Sequence, residues 1–429
     1  MTLIISGCQS IPETMGKSEV IKKVLTYDQK LSSENFDEFN SLELKLKNNN
    51  ALSETEAVLI ALNHNAGFKA LLTELNIARA DLINAGLLPN PDLLFAFGVA
   101  NKPYRYAIDL PIEALWLRPI KLRTMKSEAD ATAFRLTQAG INLIKDVRVA
   151  YAQVILAQEQ QKVAETSHHL RHRIYELSLK RLEAGDLNGK DILLAKNDAA
   201  IAKRDWELSQ YDFTVKMQAL LYIMGINQKY NYISTSPSFV PGCNVNEVEN
   251  LITTALAQRP DILSAEYSIN AAKEKIKLSR MGWFKFTATA DATSGQLNGH
   301  TLGPAIRSTI PIANLNQGAV SRSEAELEKA ELNLEALKQQ AILDIKTAHT
   351  LYQQSCHDWS VLEDTLMPSI HEMIKLTDFA YQKGDISFLQ TLEANRQYVD
   401  AQMRSVQLKA LLVARHAELM RNQNAKVVN

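Results

Sequence analysis

The stretch "NAGLLPNPDLLFAFG", residues 84 to 98, closes a long helical pattern rich in Ala, Leu and charge, and opens an alternating apolar strand, Phe95-x-Phe97-x-Val99. Pro89 and Pro91 make the break, since proline lacks an N–H and its ring clashes with the preceding helical turn. The change from period 3.6 to period 2 predicts a helix feeding straight into a strand. The same event recurs at "RMGWFKFTATA" (280 to 290), where Gly282 marks the break.

That recurrence extends along the chain. "ALNHNAGFKALLTELNIARADLI" (61 to 83) aligns without gaps to "ALAQRPDILSAEYSINAAKEKIK" (255 to 277). The alternating stretches that follow end in "DLPI" (109 to 112) and "TIPI" (309 to 312), and "GDLNGKDILLA" (185 to 195) matches "GDISFLQTLEA" (384 to 394). Internal self-similarity of this kind sets the architecture before any local reading. It predicts residues 51–226 as a first repeat and 247–425 as a second. Each is helix, β-hairpin, very long helix, Gly-Asp turn and long helix. The hairpins fall near 92–112 and 284–312, and the helical tips near 183–191 and 382–390. Residues 227–246, with two prolines and several turn formers, read as a linker. Residues 1–50 form an N-terminal signal and extended segment. The second hairpin loop, "TSGQLNGH" (293 to 300), is the longer one.

Composition narrows the class. Lys and Arg number 47 against 48 Asp and Glu, a net charge of −1, which gives no footprint for nucleic acid. Gly and Pro are scarce and 46% of residues are hydrophobic, so a folded, helix-rich chain is expected. A membrane helix needs about 20 apolar residues, and the longest apolar run, Leu93 to Ala100, is far shorter. That leaves a soluble chain, a lipid-anchored one or a β-barrel. The three cysteines, Cys8, Cys243 and Cys356, make neither a metal-ligand spacing nor a disulfide framework. "LIISGC" does place a branched apolar residue, a small residue and Gly before Cys8, as at the cleavage site of a bacterial lipoprotein leader. Cys8 is thus the expected lipid attachment point, and Gln9 behind it fits sorting to the outer membrane. Only seven residues precede Cys8, fewer than the basic and apolar segments of such a leader fill.

The long helices and the strands pull toward different readings. Lys121 to Glu183 contains no proline and only Gly140 as a weak point. Leu327, Leu334, Ala341 and Ala348 recur every seven residues, as do Ala330, Leu337, Asp344 and Leu351, a coiled-coil seam with small residues and one polar break. Alone, that seam fits a rod or a bundle. The strands decide otherwise. Phe95, Phe97 and Val99 share a side against Ala96 and Gly98. Tyr104, Tyr106, Ile108 and Leu110 oppose Arg105, Ala107 and Asp109. Phe284, Phe286, Ala288 and Ala290 oppose Lys285, Thr287, Thr289 and Asp291, and Leu302, Ile306 and Ile310 oppose Arg307 and Thr309. Each is near the roughly 9–11 residues of a membrane-spanning strand. Four strands cannot close a barrel, so several chains would have to share one. Trp116 and Trp283 would mark one membrane interface.

On these residues the chain resembles the TolC/OprM/CusC family of outer-membrane efflux proteins. The resemblance is carried by "ARADLINAGLLPNPDL" (78 to 93), "RPDILSAEYSINAAKEKIKLSRMGWF" (259 to 284), "NQGAVSRSEAELEKAELNLEALKQQ" (316 to 340) and the two Gly-Asp turns. It implies a mainly α fold with a small β part. A homotrimer would form an α-barrel and a shared twelve-stranded transmembrane β-barrel, four strands from each chain. "LWLRPIKLR" (115 to 123) and Cys8 lean toward the heavy-metal branch, the CusC and CzcC type. The implied function is the passive exit duct of a tripartite efflux pump, carrying metal ions or drugs. A periplasmic adaptor would open it, and an inner-membrane pump of the RND type would supply the energy. The implied place is the outer-membrane lipid, with most of the chain in the periplasm. An exit duct for type I protein secretion is the alternative, and a lipid-tethered coiled-coil scaffold a more distant one.

The resemblance also places the site. Gly185, Asp186, Gly384 and Asp385 would form the tips that meet the adaptor. Capping physics accounts for the same residues: Gly takes a left-handed C-cap and Asp starts the next helix as N-cap. Family relatives ring the closed aperture with acids just inside the second turn. Glu393 fits that pattern, Gln390 holds a position often acidic in relatives, and Asp191 is its counterpart in the first half. Three Glu393 carboxylates around an axis would favour cations. In "SHHLRH" (167 to 172), His168 and His172 are one turn apart, but two ligands make an incomplete metal site. No G-x-S-x-G, phosphate loop or catalytic pair is present, so no catalytic residue, metal or cofactor is expected.

Overall fold

The computed structural model describes residues 12–27, 45–46, 48, 50–98, 104–185, 187–236, 241–244, 247–283, 285–294, 300–383 and 385–423. Cys8, Val99, Asp186, Phe284 and Gly384 lie outside them. The fold is mainly α with one small sheet, built from two tandem copies of a helix–hairpin–long helical hairpin unit. After α1 (Lys17–Thr26), the first copy runs α2 (Glu54–His64), α3 (Ala66–Gly86), β1 (Asp92–Ala96), β2 (Tyr104–Pro111), α4 (Ala114–Glu183) and α5 (Gly189–Met224). The second runs α6 (Val248–Gln258), α7 (Pro260–Met281), β3 (Phe286–Ser294), β4 (His300–Ser308), α8 (Gln317–Val361), α9 (Met367–Lys383) and α10 (Phe388–Gln423). A π-helical segment, Leu362–Leu366, joins α8 to α9 just before Pro368. Widening the helix there accommodates a proline that cannot donate to the preceding turn. The break between α2 and α3 at Asn65 and that between α6 and α7 at Arg259 fall at matching positions of the gap-free repeat alignment.

Two compact units divide the chain, and each draws on both copies. The first is built on Ala70–Gln138 and Ala257–Gln340. Its centre is an antiparallel sheet ordered β1-β2-β3-β4, in which the two hairpins meet along β2 and β3. Tyr104 to Pro111 pairs with Ser294 back to Thr287. This register puts Leu93, Phe95, Tyr106, Ile108, Leu110, Ala288, Ala290, Leu302 and Ile306 on one face. The other face carries Arg105, Asp109, Thr289, Asp291 and Arg307. Arg105 grips Asp291 (Nη2–Oδ2 2.7 Å), while Asp109 accepts from Thr289 Oγ1 at 2.5 Å and from Arg307 Nη1 at 3.4 Å. The apolar face is open in the single chain: Leu93, Leu302 and Ile306 are each at least 73% exposed. Ile310 lies just beyond β4 and is equally bare. Trp116 meets Phe286 edge to face at 5.9 Å, and Trp283 is half-buried.

The second unit holds Val24–Lys69, Ala139–Leu256 and Ala341–Asn429. One of its cores gathers Leu251, Ala255, Ile345, Ala348, Tyr352, Leu412 and Leu419. Gly140 is a point of close approach rather than a weak one, because a Cβ there would meet Val24 Cγ2 at 2.6 Å. The polar break in the seam at Asp344 is answered by Arg421 at 3.7 Å. The described linker residues are pinned, not loose. Leu52 and Thr235 form a bridge, and the Tyr151 hydroxyl donates to both Leu52 and Ser236 carbonyls at 2.7 Å. Burial lifts the Tyr151 phenol well above its ordinary range. Tyr352 donates to the Gly242 carbonyl at 2.8 Å, and Cys243 is disulfide-bonded to Cys356. This last link corrects the reading of the cysteines as unpaired. The two lie 113 residues apart, a separation no spacing rule detects.

Two outcomes follow for stability. Gly225 has φ +74°, and a Cβ on it would lie 2.5 Å from the His64 carbonyl oxygen. Gly225→Ala should cost roughly 2–3 kcal/mol, read as a lower thermal midpoint. Cys356→Ser should remove up to roughly 4–5 kcal/mol of chain-entropy stabilisation, checked by denaturant unfolding of variant and parent side by side.

Candidate functional site at the helical tips

The turn between α4 and α5 begins at Gly185, whose φ of +82° is the left-handed conformation that glycine adopts without a Cβ penalty. Its N–H donates to the Leu182 carbonyl at 3.0 Å, ending α4. Asn188 then caps α5: its side chain accepts from the Asp191 N–H at 3.0 Å. In the second turn Ser387 caps α10. Its hydroxyl accepts from the Gln390 N–H at 3.3 Å, and Gln390 Oε1 accepts from the Ser387 N–H at 3.0 Å. That reciprocal pair is a capping box.

These contacts correct the assignment of Asp186 and Asp385 as N-caps. Asp385 instead closes the helix before it, its N–H donating to the Ala380 carbonyl at 3.0 Å. The physical reason is distance, because each turn is two residues longer than an immediate restart requires, and the cap falls to Asn188 and Ser387. Asp191 and Gln390 thus occupy the same helical position, third in their helices. Gln390 spends its side-chain oxygen on the cap. Glu393, one turn further on, is exposed and accepts from Gln397 Nε2 of its own helix at 3.1 Å.

Sequence reading missed the residues that join the two hairpins behind the turns. Asp198 on α5 is 3% exposed, and its Oδ1 accepts from Arg171 of α4 (3.2 Å) and from Arg396 of α10 (2.8 Å). A buried carboxylate held by two guanidiniums couples three helices, and losing the carboxylate would leave both cations without their shared partner. Arg181 lies over the Tyr381 ring at 4.3 Å and donates to the Tyr381 carbonyl at 3.2 Å. Around these polar ties, Ile174, Ala195, Tyr381 and Leu392 form a small apolar cluster with Leu187 and Ile386. The signal available in sequence was faint. Asp198 sits at the same distance past its glycine as Gln397 in the other copy, so the repeats differ there.

The histidine run packs rather than converges. His168 stacks on Trp206 at 5.3 Å, and His172 faces Glu176 at 3.5 Å. Burial, then the neighbouring His169, His172 and Lys203, lower the His168 pKa. Among the described residues no three His, Cys, Asp or Glu side chains gather around a metal-sized position.

The chain is similar to known proteins. Residues 251–423 match the family described as "Outer membrane efflux protein". The "Probable outer membrane lipoprotein SilC" of Salmonella typhimurium is 24% identical over 383 residues, 81% of this chain and 80% of that one. The "Cation efflux system protein CusC" of Escherichia coli is 26% identical over 303 residues, 64% of this chain and 63% of its own length. A crystal structure of CusC superposes with a TM-score of 0.73 at 18% identity, covering 86% of this chain and 91% of that one. With the ordered repeat, the four-stranded sheet and the paired helical tips, the chain is similar to outer membrane efflux proteins, in sequence over residues 251–423 and in fold over most of its length.

Proposed function

We propose that this chain is the exit duct of a tripartite efflux pump, working as a homotrimer in the outer membrane and carrying metal cations. The observation that carries this reading is the sheet. It is apolar on one face and polar on the other, and among the described residues β1 and β4 each pair on one side only. Unpaired strand edges are not tolerated in hydrocarbon, so the edges require copies of the same sheet. Three copies of four strands would close one barrel, with the Arg105–Asp291 and Arg307–Asp109 pairs toward its water-filled interior. The long helices make the same demand. Along α5, Leu194, Ile201, Leu208, Val215 and Tyr222 recur every seven residues and are all exposed, which is a seam without a helix to fill it. The Cys243–Cys356 bond fits an oxidising compartment such as the periplasm.

In this assembly the tips at Gly185 and Asp186, and at Gly384 and Asp385, meet a periplasmic adaptor. An inner-membrane pump of the RND type energises transport, and Cys8 carries a lipid anchor. Glu393 lines the aperture with Gln390 and Asp191 beside it. The Asp198 tie holds the tips together at rest, and the adaptor shifts the population toward the parted state by binding it more tightly. The cation cargo is supported by the name of the CusC relative and by the exposed carboxylate of Glu393.

Growth of a deletion strain tests the cargo. Sensitivity to copper, zinc, cadmium or cobalt, restored by the intact gene, is expected. Sensitivity confined to dyes, detergents and antibiotics would overturn the metal assignment and leave a drug duct. In planar bilayers, Glu393→Gln should lower cation preference at unchanged conductance. Asp198→Asn should raise resting conductance severalfold, since a neutral amide holds two guanidiniums less firmly.

A further inference from the structure

A cleft of about 390 Å³ lies where the helices of the first unit give way to the sheet. One wall is a stripe on α4, Leu117, Arg118 and Lys121, which share a helix face. Leu87 and Leu88, both exposed, form an apolar lip between the end of α3 and β1, and Lys285 enters from the lead-in to β3. The cleft therefore brings three cations against an apolar surface. Its one acid, Glu113, is already engaged, with Oε2 accepting from the Phe286 N–H at 3.2 Å. Arg118 is oriented by donating from Nε to the Gly86 carbonyl at 2.7 Å, which leaves its terminal nitrogens for a ligand. Lys121 and Lys285 are exposed, and among the described residues neither has an ion-pair partner.

We infer that this cleft seats the anionic phosphate headgroup of a membrane phospholipid, with the acyl chains along Leu87, Leu88 and the apolar strand face that begins at Leu93. The occupant follows from two complementarities. Three cations against one carboxylate leave an excess of positive charge that fits a phosphodiester, and the apolar lip runs directly into the surface assigned above to lipid. Basic side chains beside an apolar band recognise headgroups by the same combination of charge and snorkelled stem. The inference rests on the membrane reading of the sheet.

The test uses the full chain purified in detergent, titrated with phosphatidylglycerol, phosphatidylcholine or inorganic phosphate and read by native mass spectrometry. Saturable retention of phosphatidylglycerol over phosphatidylcholine is expected. Lys121→Gln combined with Lys285→Gln should weaken that retention about tenfold. The pair Arg322→Gln and Lys329→Gln, on the exposed start of α8, should leave it unchanged. Equal retention of both lipids, or no loss in the cleft variant, would overturn the site as lipid-specific. Displacement by millimolar inorganic phosphate would reduce it to a free-anion site. Alkaline extraction of the parent chain from outer membranes is scored separately. Release there would sink the membrane reading itself, whereas retention without phosphatidylglycerol preference would sink only the cleft.

Discussion

Everything in the first unit hangs on the pairing of β2 with β3. These strands belong to different copies of the repeat and are more than 170 residues apart in sequence, yet they share eight consecutive partners. A two-stranded hairpin is marginal on its own, and joining two of them makes a sheet with one continuous apolar face. Side chains alternate with period 2, so a one-residue slip between β2 and β3 would turn Ile108 and Leu110 over to the side of Asp291 and Arg307. The charged pairs guard against that slip. Arg105 reaches Asp291 and Asp109 reaches Thr289 only in the register observed. Register, amphipathicity and the two open edges are therefore consequences of one set of backbone hydrogen bonds.

The helical tips solve a different problem with unequal means. Both long hairpins must reverse direction, and in both the helix that follows the Gly-Asp pair of the sequence opens with a cap. The first is capped by an amide, Asn188, and the second by the reciprocal pair of Ser387 and Gln390. Identical turns would make the hairpins interchangeable, but the tie between them is directional. Asp198 comes from the first copy and Arg396 from the second, with Arg171 completing the set. Duplicated segments that must stay distinct can diverge at a few charged positions while keeping their helical frames.

Much of this was legible in residues 84 to 98 and their counterpart. Prolines, a change of period and a second occurrence suffice to find helix, strand and repeat. The strand faces could be assigned because a two-residue period leaves no alternative once the apolar members are known. Three things could not be read. The Cys243–Cys356 bond joins the linker to the far end of a long helix, and nothing local in either neighbourhood announces the other. The caps fell two residues beyond the aspartates, because capping depends on where the chain re-enters helical dihedrals, not on residue type alone. Asp198 looked like one more helix carboxylate, since its burial depends on α4 and α10 arriving from distant parts of the chain.

The disulfide also imposes an order of events on the chain's maturation. Cys243 is synthesised well before Cys356, and the intervening residues include α6, α7, both strands of the second hairpin and nearly all of α8. The first copy can be complete while its linker still carries a lone thiol. Only when the second long helix has been made can the bond close, and it then fastens the linker to a helix that had no earlier hold on it. Until that moment Cys243 is open to mispairing with any passing thiol. The bond, beside the Tyr352–Gly242 contact, thus dates the molecule: a chain that carries it has both copies made and its linker seated.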